Sequence, residues 1–245
     1  MRNIIVTGAT GGLGKAIVNR LTMNSDVCVW AIDLKQDVLE SCYGNSQNVR
    51  TISCNLSDET EIVNMVKFIV SESNGIDGLV HCAGISSFTP IHMIKQKKIE
   101  NIFQIHVYAA MILCSQIAKK GVANKGCSIV LFSSVAAHEG SSGNSIYAAA
   151  KSALEGFVHS AANDFADRGI RLNAIVPGDI NAGMFRAFLE QLSEEQRNAR
   201  EEKYPLGYGK DKDIASIVNF LLSEDSSWMT GQCYIIDGGH SVHRV

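Results

Sequence analysis

The sequence has little of what would place it in a membrane, in a disulfide framework or on nucleic acid. Its longest apolar stretch, 105–118, is shorter than the roughly 20 residues that a membrane-spanning helix needs. Its seven cysteines include no C-x-x-C pair, which argues against a disulfide framework and a structural zinc site. Its net charge of -3 comes without a basic stripe. With no leader before the apolar run 4–6, we expect a cytoplasmic protein with a small-molecule partner, no metal site, and no nucleic-acid or membrane partner.

Only three prolines interrupt the chain, and short β-branched runs alternate with longer amphipathic segments, as in repeated βαβ units. Strands are predicted at 4–7, 27–32, 49–54, 78–82, 128–133, 171–176 and 233–236. Helices are predicted to begin near Gly12, Thr60, Lys97, Ile146 and Lys212. Because these strands are apolar on both faces, they belong in a sheet that helices cover on each side. We predict a single α/β domain, 1–245, with a doubly wound parallel sheet and helices on both faces.

The segment 183–210 departs from this alternation of β-branched runs and amphipathic segments. It has an apolar start, then a charged run, then Pro205-Leu206-Gly207. We predict a helical flap that lines a substrate pocket together with residues 86–92; a solvated helix followed by an ordinary loop is the alternative.

The first predicted strand runs directly into a glycine-rich turn, Thr7-Gly8-Ala9-Thr10-Gly11-Gly12-Leu13-Gly14, and helical apolar spacing follows. Glycines in this order let the chain approach a pyrophosphate and leave the N–H groups of a helix N-terminus pointing at the anion. We therefore predict a Rossmann fold with a dinucleotide-binding turn. Rossmann-like methyltransferases and plain turns use similar clusters.

Asp33 ends the second predicted strand, where an acidic side chain accepts hydrogen bonds from the adenosine ribose hydroxyls. Its carboxylate would also repel a 2′-phosphate, and neither Gly11 nor Leu34 brings a positive charge. We predict NAD as the cofactor rather than NADP, although Lys35 keeps NADP open. A strand-end aspartate that caps a turn is the alternative.

Tyr147 and Lys151 lie four residues apart in a run of strong helix formers, so both face one side of a helix. A nearby ammonium favours the phenolate form of tyrosine, and the pair therefore predicts a proton-transfer site. Tyr208 and Lys212 have the same spacing, but glycines and a proline break the helix that would align them. We discount that second pair.

Ser134 follows the strand predicted at 128–133, at the carboxyl edge where α/β sheets bind ligands. Its hydroxyl would donate a hydrogen bond to a substrate oxygen as negative charge develops there. Ser133 is the competing candidate, and a turn serine without a catalytic role is the alternative.

With these residues in place, the sequence resembles the classical short-chain dehydrogenase/reductase family from Ile4 to about Gly239, and within it the 3-oxoacyl-acyl-carrier-protein reductase-like members. The family's T-G-x-x-x-G-x-G pattern is met by Thr7, Gly8, Gly12 and Gly14, and its catalytic residues by Ser134, Tyr147 and Lys151. The resemblance continues through 173–178 and 230–239. The cofactor-binding residues that it implies are Gly8, Gly12, Leu13, Gly14, Asp33, Asn55, Leu56, Ala83, Gly84, Tyr147, Lys151, Pro177, Gly178 and Ile180.

Several positions depart from the family's pattern. His81-Cys82 stand where the family usually has two asparagines, Asn55 replaces an acidic residue on the adenine side, and Ala182 lacks a threonine hydroxyl that would bond the carboxamide. His106 occupies the position of the fourth catalytic residue, an asparagine. Because imidazole can donate and accept a proton at neutral pH, we predict that His106 completes or replaces the proton relay. A histidine hydrogen-bonded within a helix is the alternative.

The resemblance implies an NAD(P)-dependent oxidoreductase that moves a hydride between the nicotinamide and a ketone or secondary alcohol. Family members are usually homotetramers or homodimers, and the apolar faces of 97–119 and 146–167 are predicted to build either that interface or the core. The alternatives are a 3-oxoacyl-thioester reductase, a nonenzymatic dinucleotide sensor with eroded cofactor contacts, and an extended-family epimerase or dehydratase. The chain after 179 leaves little room for the substrate domain of the last class.

Overall fold

The computed structural model describes residues 1–86 and 88–242, without the side chain of residue 184. Its strands are β1 (Arg2–Thr7), β2 (Val27–Asp33), β3 (Val49–Ser53), β4 (Ile76–His81), β5 (Ala123–Phe132), β6 (Arg171–Pro177) and β7 (Cys233–Ile236). Its α-helices are α1 (Gly12–Leu21), α2 (Gln36–Tyr43), α3 (Glu59–Ser71), α4 (Gln96–Phe103), α5 (Ala109–Ile117), α6 (Ser145–Ala166), α7 (Gly183–Leu189), α8 (Glu194–Glu201) and α9 (Asp211–Leu221).

Within the described residues, the strands form one seven-stranded parallel sheet in the order β3-β2-β1-β4-β5-β6-β7. The first half of the chain builds the sheet outward from β1, and the second half builds it outward from β4 in the opposite direction. Thr7 at the end of β1 pairs with His81 at the end of β4. This reversal of strand order is the point at which open α/β sheets bind ligands, at the carboxyl ends of the strands.

Two layers of helices cover the sheet. The first layer consists of α3, α5 and α6, which bury side chains such as Ile62, Leu113 and Leu154 against one face. The second consists of α1, α2 and α9, which bury Ile17 and Ile214 against the other. The predicted doubly wound α/β fold with helices on both faces is therefore confirmed.

Most predicted element positions agree with the structure to within two residues, with three exceptions. One is β5, which begins at Ala123, five residues before its predicted start. The sequence does not predict α2, because Leu39 and Tyr43 are the buried residues among its eight and leave little apolar periodicity. The helix predicted from Lys97 onward is divided, because a π-helical turn, Gln104–Tyr108, lies between α4 and α5. Such turns occur frequently at functional sites.

The segment 183–210 contains α7 and α8, so it is helical as expected, and its role as a substrate flap stays a prediction. Residues Ser193 and Gln196 form a reciprocal capping box at the start of α8. Ile180 forms a parallel β-bridge with Gly209, which brings the two ends of the segment together. Residues 243–245 of the predicted domain lie outside the described residues. Across the described helices, none is long and apolar enough to cross a bilayer.

Candidate active site

The glycine turn packs the end of β1 against the end of β4. Gly8 has a φ of 65°, a backbone conformation that residues with a side chain rarely adopt, and a Cβ there would lie 2.7 Å from Ala83 Cα. A Cβ on Gly14 would collide with the carbonyl oxygen of Gly8, so glycine at this position lets α1 begin against the turn. The result is a backbone cradle at the N-terminus of a helix, which fits the pyrophosphate of a dinucleotide. Gly12 and Leu13 lie at the first positions of that helix.

The Asp33 carboxylate is fixed by the glycine turn. Its Oδ2 accepts hydrogen bonds from Thr10 N at 3.0 Å and from Thr10 Oγ1 at 2.7 Å, and its Oδ1 accepts one from Leu34 N at 2.8 Å. A carboxylate offers about four lone-pair sites, so these three bonds leave room on Oδ1 for a ribose hydroxyl. Asp33 thus orders the turn, as in the alternative interpretation, and remains able to bind a ligand.

On the adenine side, Asn55 and Leu56 follow β3 at the same edge of the sheet. Asn55 Oδ1 accepts a hydrogen bond from Ser57 N at 3.0 Å, and the Asn55 backbone N–H donates to Glu61 Oε2 at 2.7 Å. The Leu56 side chain is buried in the core. A ligand at this position would therefore meet the amide of Asn55 and the backbone of Leu56.

The end of β6 brings a further group of predicted residues to this edge. Gly178, which follows Pro177, donates its N–H to Ile236 O at 3.0 Å. Ile180 turns its side chain into the core, so its backbone is what a carboxamide would meet. The flap then begins directly on the glycine turn, because a Cβ on Gly12 would lie 2.6 Å from Gly183 N.

The two serines after β5 point in different directions. Ser133 Oγ is buried and donates to Glu155 Oε1 at 2.5 Å. Ser134 Oγ accepts a hydrogen bond from Ala136 N at 3.2 Å and lies close enough to Tyr147 to act on the pKa of the phenol in the lowering direction. This geometry favours Ser134 over Ser133 as the hydroxyl that faces a substrate.

Tyr147 and Lys151 both lie on α6, with Lys151 Nζ 5.4 Å from the centroid of the Tyr147 ring. The Lys151 ammonium is buried and donates to Phe132 O at 2.7 Å, and burial lowers its pKa to about 8. Burial also raises the pKa of Tyr147, although the Ser134 hydroxyl acts in the lowering direction. Desolvation of the phenol thus sets the net direction of the shift, and the expectation that the Lys151 ammonium favours the phenolate stays a prediction.

His106 lies in the π-helical turn, and its ring stands edge to face against Tyr147 with centroids 5.3 Å apart. Its Nε2 lies 2.8 Å from Ile85 O and 3.1 Å from Ile85 N. One ring nitrogen either donates or accepts, so it satisfies only one of these two groups. Nδ1 is buried and has no hydrogen-bond partner among the described residues. Burial, followed by the Lys151 charge, lowers the His106 pKa to about 3. At neutral pH the predicted relay would therefore use an uncharged ring.

The structure adds residues that the sequence patterns do not single out. Thr10, which holds Asp33, lies inside the glycine turn, and Glu155, which holds Ser133, lies one helical turn after Lys151. Thr10 could be found by considering the polar residues within the glycine turn, and Glu155 by extending the spacing of Tyr147 and Lys151 by one helical turn. Burial raises the pKa of Cys82, one of the departures from the family's pattern, to about 12, so it is a neutral thiol despite the opposing effect of the Lys151 charge.

The flap is tied to the end of β6 by an ion pair. Arg200 Nε lies 2.6 Å from Asp179 Oδ2, and the guanidinium lies 5.4 Å from the centroid of the Phe185 ring. Tyr208 precedes α9 and donates to Arg197 O at 3.2 Å, so it does not share a helix with Lys212, as expected. Of the pocket segment 86–92, residue 87 lies outside the described residues.

Comparison with known proteins gives one consistent result. A family model described as enoyl-(acyl carrier protein) reductase matches residues 8–241. The chain is 34% identical over 238 residues to 3-oxoacyl-(acyl-carrier-protein) reductase FabG of Rickettsia conorii, covering 96% of this chain and 95% of that protein. It is 32% identical over 239 residues to carbonyl reductase family member 4 of Xenopus laevis, covering 97% of each. Among solved structures, a short-chain dehydrogenase/reductase described as a glucose/ribitol dehydrogenase, from Brucella melitensis, has a TM-score of 0.90 at 26% identity and covers 100% of this chain and 97% of that one.

Proposed function

The chain belongs to the classical short-chain dehydrogenase/reductase family and is an oxidoreductase, and from that premise we propose that it moves a hydride between a nicotinamide dinucleotide and a ketone or secondary alcohol. The observation that carries the proposal is the meeting of Ser134, Tyr147 and Lys151 at the carboxyl edge of the sheet. The Ser134 hydroxyl lies close enough to the Tyr147 phenol to act on its pKa, and the buried Lys151 ammonium lies beside the same ring. This is the arrangement that proton transfer to a substrate oxygen needs.

Each of the three side chains has a distinct role. In the reducing direction, Ser134 and Tyr147 hold the carbonyl oxygen by hydrogen bonds, and Tyr147 gives it a proton. Because burial raises the Tyr147 pKa, the phenol is protonated at neutral pH and ready to donate. Lys151 stabilises the phenolate that remains, and in the oxidising direction Tyr147 takes the proton from the alcohol. The nicotinamide, when bound, supplies or accepts the hydride. His106 contacts Tyr147 as a neutral ring and is the fourth residue of the proposed site.

The residues proposed to hold the dinucleotide follow the carboxyl ends of five strands or lie on α6 beside them. The pyrophosphate is assigned to the glycine turn, the adenosine half to the loops after β2 and β3, and the nicotinamide half to the loops after β4 and β6 and to α6. In that order the residues are Gly8, Gly12, Leu13, Gly14, Asp33, Asn55, Leu56, Ala83, Gly84, Pro177, Gly178, Ile180, Tyr147 and Lys151.

We propose that NAD is preferred over NADP. The Asp33 carboxylate is already held by Thr10 and Leu34, so it is fixed in place and keeps an acceptor site on Oδ1 for a ribose hydroxyl. A 2′-phosphate at that position would meet a fixed negative charge, and like-charge contacts of this kind cost several kcal/mol.

Reduction of a 3-oxoacyl thioester is the second candidate function. The observation in its favour is the 34% identity to a protein named as a 3-oxoacyl-(acyl-carrier-protein) reductase over 96% of this chain. Such a substrate carries a ketone, so the same Ser134, Tyr147 and Lys151 would act on it. A nonenzymatic dinucleotide sensor is disfavoured by the presence of all three of these side chains in one place.

A homodimer or homotetramer in the cytoplasm completes the proposal. Ile99, Tyr108 and Met111 are exposed apolar side chains in the region from α4 to α5, and they are the kind of surface that a second copy would cover. The seven cysteines are all free thiols, which suits a reducing compartment. A monomeric mass by light scattering at micromolar concentration would contradict the oligomer.

The proposed function is tested with a panel of ketones, secondary alcohols and 3-oxoacyl thioesters, each assayed with both nicotinamide dinucleotides. Ser134→Ala removes the donor that faces the substrate and is expected to lower kcat by about 100-fold. Ser133→Ala is the matched control, because its hydroxyl points to Glu155, and it should keep kcat near that of the wild type. Equal losses in the two variants, or no turnover of any compound by the wild type, would overturn the proposal.

A further inference from the structure

His81, the last residue of β4, makes a hydrogen bond from each ring nitrogen. Nδ1 lies 2.9 Å from Thr7 Oγ1, and Nε2 lies 3.0 Å from Ile105 O. A carbonyl oxygen only accepts, so Nε2 carries the ring proton and Nδ1 accepts the proton of the Thr7 hydroxyl. Thr7 Oγ1 then accepts the backbone N–H of Ala83 at 3.3 Å. One arrangement of protons thus satisfies every group in this series of hydrogen bonds, which runs from the Ala83 N–H through Thr7 and His81 to the Ile105 carbonyl.

The two ends of this chain of hydrogen bonds lie in different parts of the proposed site. Thr7 is the first residue of the glycine turn, and Ala83 is a proposed cofactor contact. Ile105 belongs to the π-helical turn and directly precedes His106, whose ring contacts Tyr147. The His81 side chain is 2% exposed, so water does not compete for either bond. Burial lowers the His81 pKa to about 4, which keeps the ring neutral and the proton arrangement unchanged at neutral pH.

We propose that His81 is a positioning residue that fixes the π-helical turn carrying His106 relative to the glycine turn. This proposal rests on the proposed function, because it connects the proposed dinucleotide cradle with the proposed catalytic centre. His81 does not touch the reacting atoms; it acts by holding the Ile105 carbonyl. Without that bond, the π-helical turn loses a buried hydrogen bond to the sheet, and the His106 ring is no longer held in position beside Tyr147.

Two substitutions separate the two bonds of His81. In His81→Asn the amide oxygen takes the place of Nδ1 and can still accept from Thr7, but the shorter side chain does not reach Ile105 O. In His81→Gln the amide nitrogen takes the place of Nε2 and can still donate to Ile105 O. Positioning through Ile105 therefore predicts that the glutamine variant behaves like the wild type and that the asparagine variant does not.

The first readout is amide hydrogen exchange of residues 104–108 in the protein without added dinucleotide. His81→Asn is expected to speed this exchange by about tenfold, the effect of losing one buried hydrogen bond, and His81→Gln to leave it unchanged. The second readout is kcat against the Kd for NADH: the asparagine variant should lose kcat by about tenfold while its Kd stays within about twofold. Equal effects of the two variants on exchange, or a change in Kd without a change in kcat, would overturn the positioning role.

The outcome also separates this proposal from the proposed function. If the wild type turns over no substrate, the proposed function fails, and hydrogen exchange alone decides the role of His81. If His81→Asn does not fold, NMR of the imidazole nitrogens in the wild type decides it. A ring protonated on Nε2 and unchanged from about pH 5.5 to about pH 8 supports the proposal, and a ring protonated on Nδ1 in that range contradicts it.

Discussion

Replacing His106 with glutamine is expected to stabilise the protein, although the position lies in the proposed active site. The Nε2 atom of His106 lies within hydrogen-bond distance of both Ile85 O, at 2.8 Å, and Ile85 N, at 3.1 Å, yet it can satisfy only one of them. Nδ1 is buried and without a partner in the described part of the chain. A glutamine side chain places its amide where Nε2 of the ring lies, and the amide carries an acceptor oxygen and a donor NH₂ on one carbon, so the His106→Gln variant can pair with both Ile85 groups.

The magnitude follows from the groups involved. The wild type leaves one buried nitrogen, His106 Nδ1, unmet at a cost of about 1–3 kcal/mol, and it leaves one part-buried backbone group of Ile85 without a hydrogen bond worth about 0.5–1.5 kcal/mol. The variant loses the ring contact with Tyr147, which is worth about 0.5–1.5 kcal/mol. It also leaves space beside Gly84, where the imidazole now packs, at a cost of about 1 kcal/mol. The expected net gain is about 1 kcal/mol, and for a chain of this size each kcal/mol raises Tm by about 2–4 °C.

Urea unfolding at pH 7 and one fixed protein concentration measures this change. His106→Ala is the matched control: it removes the ring without supplying an amide, so it should be less stable than the wild type. A glutamine variant that is less stable than the wild type, or equal to it within about 0.5 kcal/mol, would refute the reasoning from unmet hydrogen bonds.

Two further predictions concern cofactor choice and pH. Asp33→Asn removes the charge that opposes a 2′-phosphate, so the ratio of kcat/KM for NAD to that for NADP should fall by about tenfold or more. Asp37→Asn, an exposed change in α2, should leave that ratio unchanged, and an unchanged ratio in both variants would contradict the role of Asp33. Burial lowers the His240 pKa, but the Lys203 carbonyl and the Glu139 carboxylate, 2.6 Å from Nε2, raise it by more, above its ordinary 6.5. The His240–Glu139 pair therefore contributes its full stability below the pKa that His240 has in the unfolded chain, and this contribution is lost as pH rises through the raised pKa of the folded protein. Glu139→Gln should accordingly destabilise the protein near about pH 6 and not near about pH 9. A difference in unfolding free energy that does not vary with pH would contradict this assignment.

Local patterns were sufficient to predict the parts of the fold that are strongly apolar or rich in glycine. The inner strands β1, β2, β4 and β6 are apolar runs that are largely buried on both faces, and the glycine turn must lie where β1 meets α1. The spacing of Tyr147 and Lys151 placed them on one helix face, and the broken helix after Pro205 correctly excluded Tyr208 and Lys212 as a second pair. In each case the deciding property belongs to residues that are neighbours in sequence.

The features that the sequence does not predict depend on residues that are distant in sequence. The Tyr147 pKa is raised because the phenol is buried, and burial is a property of the whole fold. Likewise, the choice between Ser133 and Ser134 depends on Glu155, and the low pKa of His106 depends on its packing in the π-helical turn. Spacing within a motif predicts which side chains can meet but not how strongly they are desolvated.

The central claim is that Tyr147 transfers the proton and supplies only one of the many contacts that hold the dinucleotide. It is tested most directly by measuring, for the wild type and Tyr147→Phe, both calorimetric binding of NADH and turnover of a carbonyl substrate, with Tyr208→Phe as the control. The proposed mechanism predicts that Tyr147→Phe keeps its Kd within about threefold and loses kcat by about 100- to 10,000-fold, while Tyr208→Phe keeps both. Turnover by Tyr147→Phe at the wild-type rate would contradict the claim, and tight NADH binding by a wild type that turns over no carbonyl would favour the sensor.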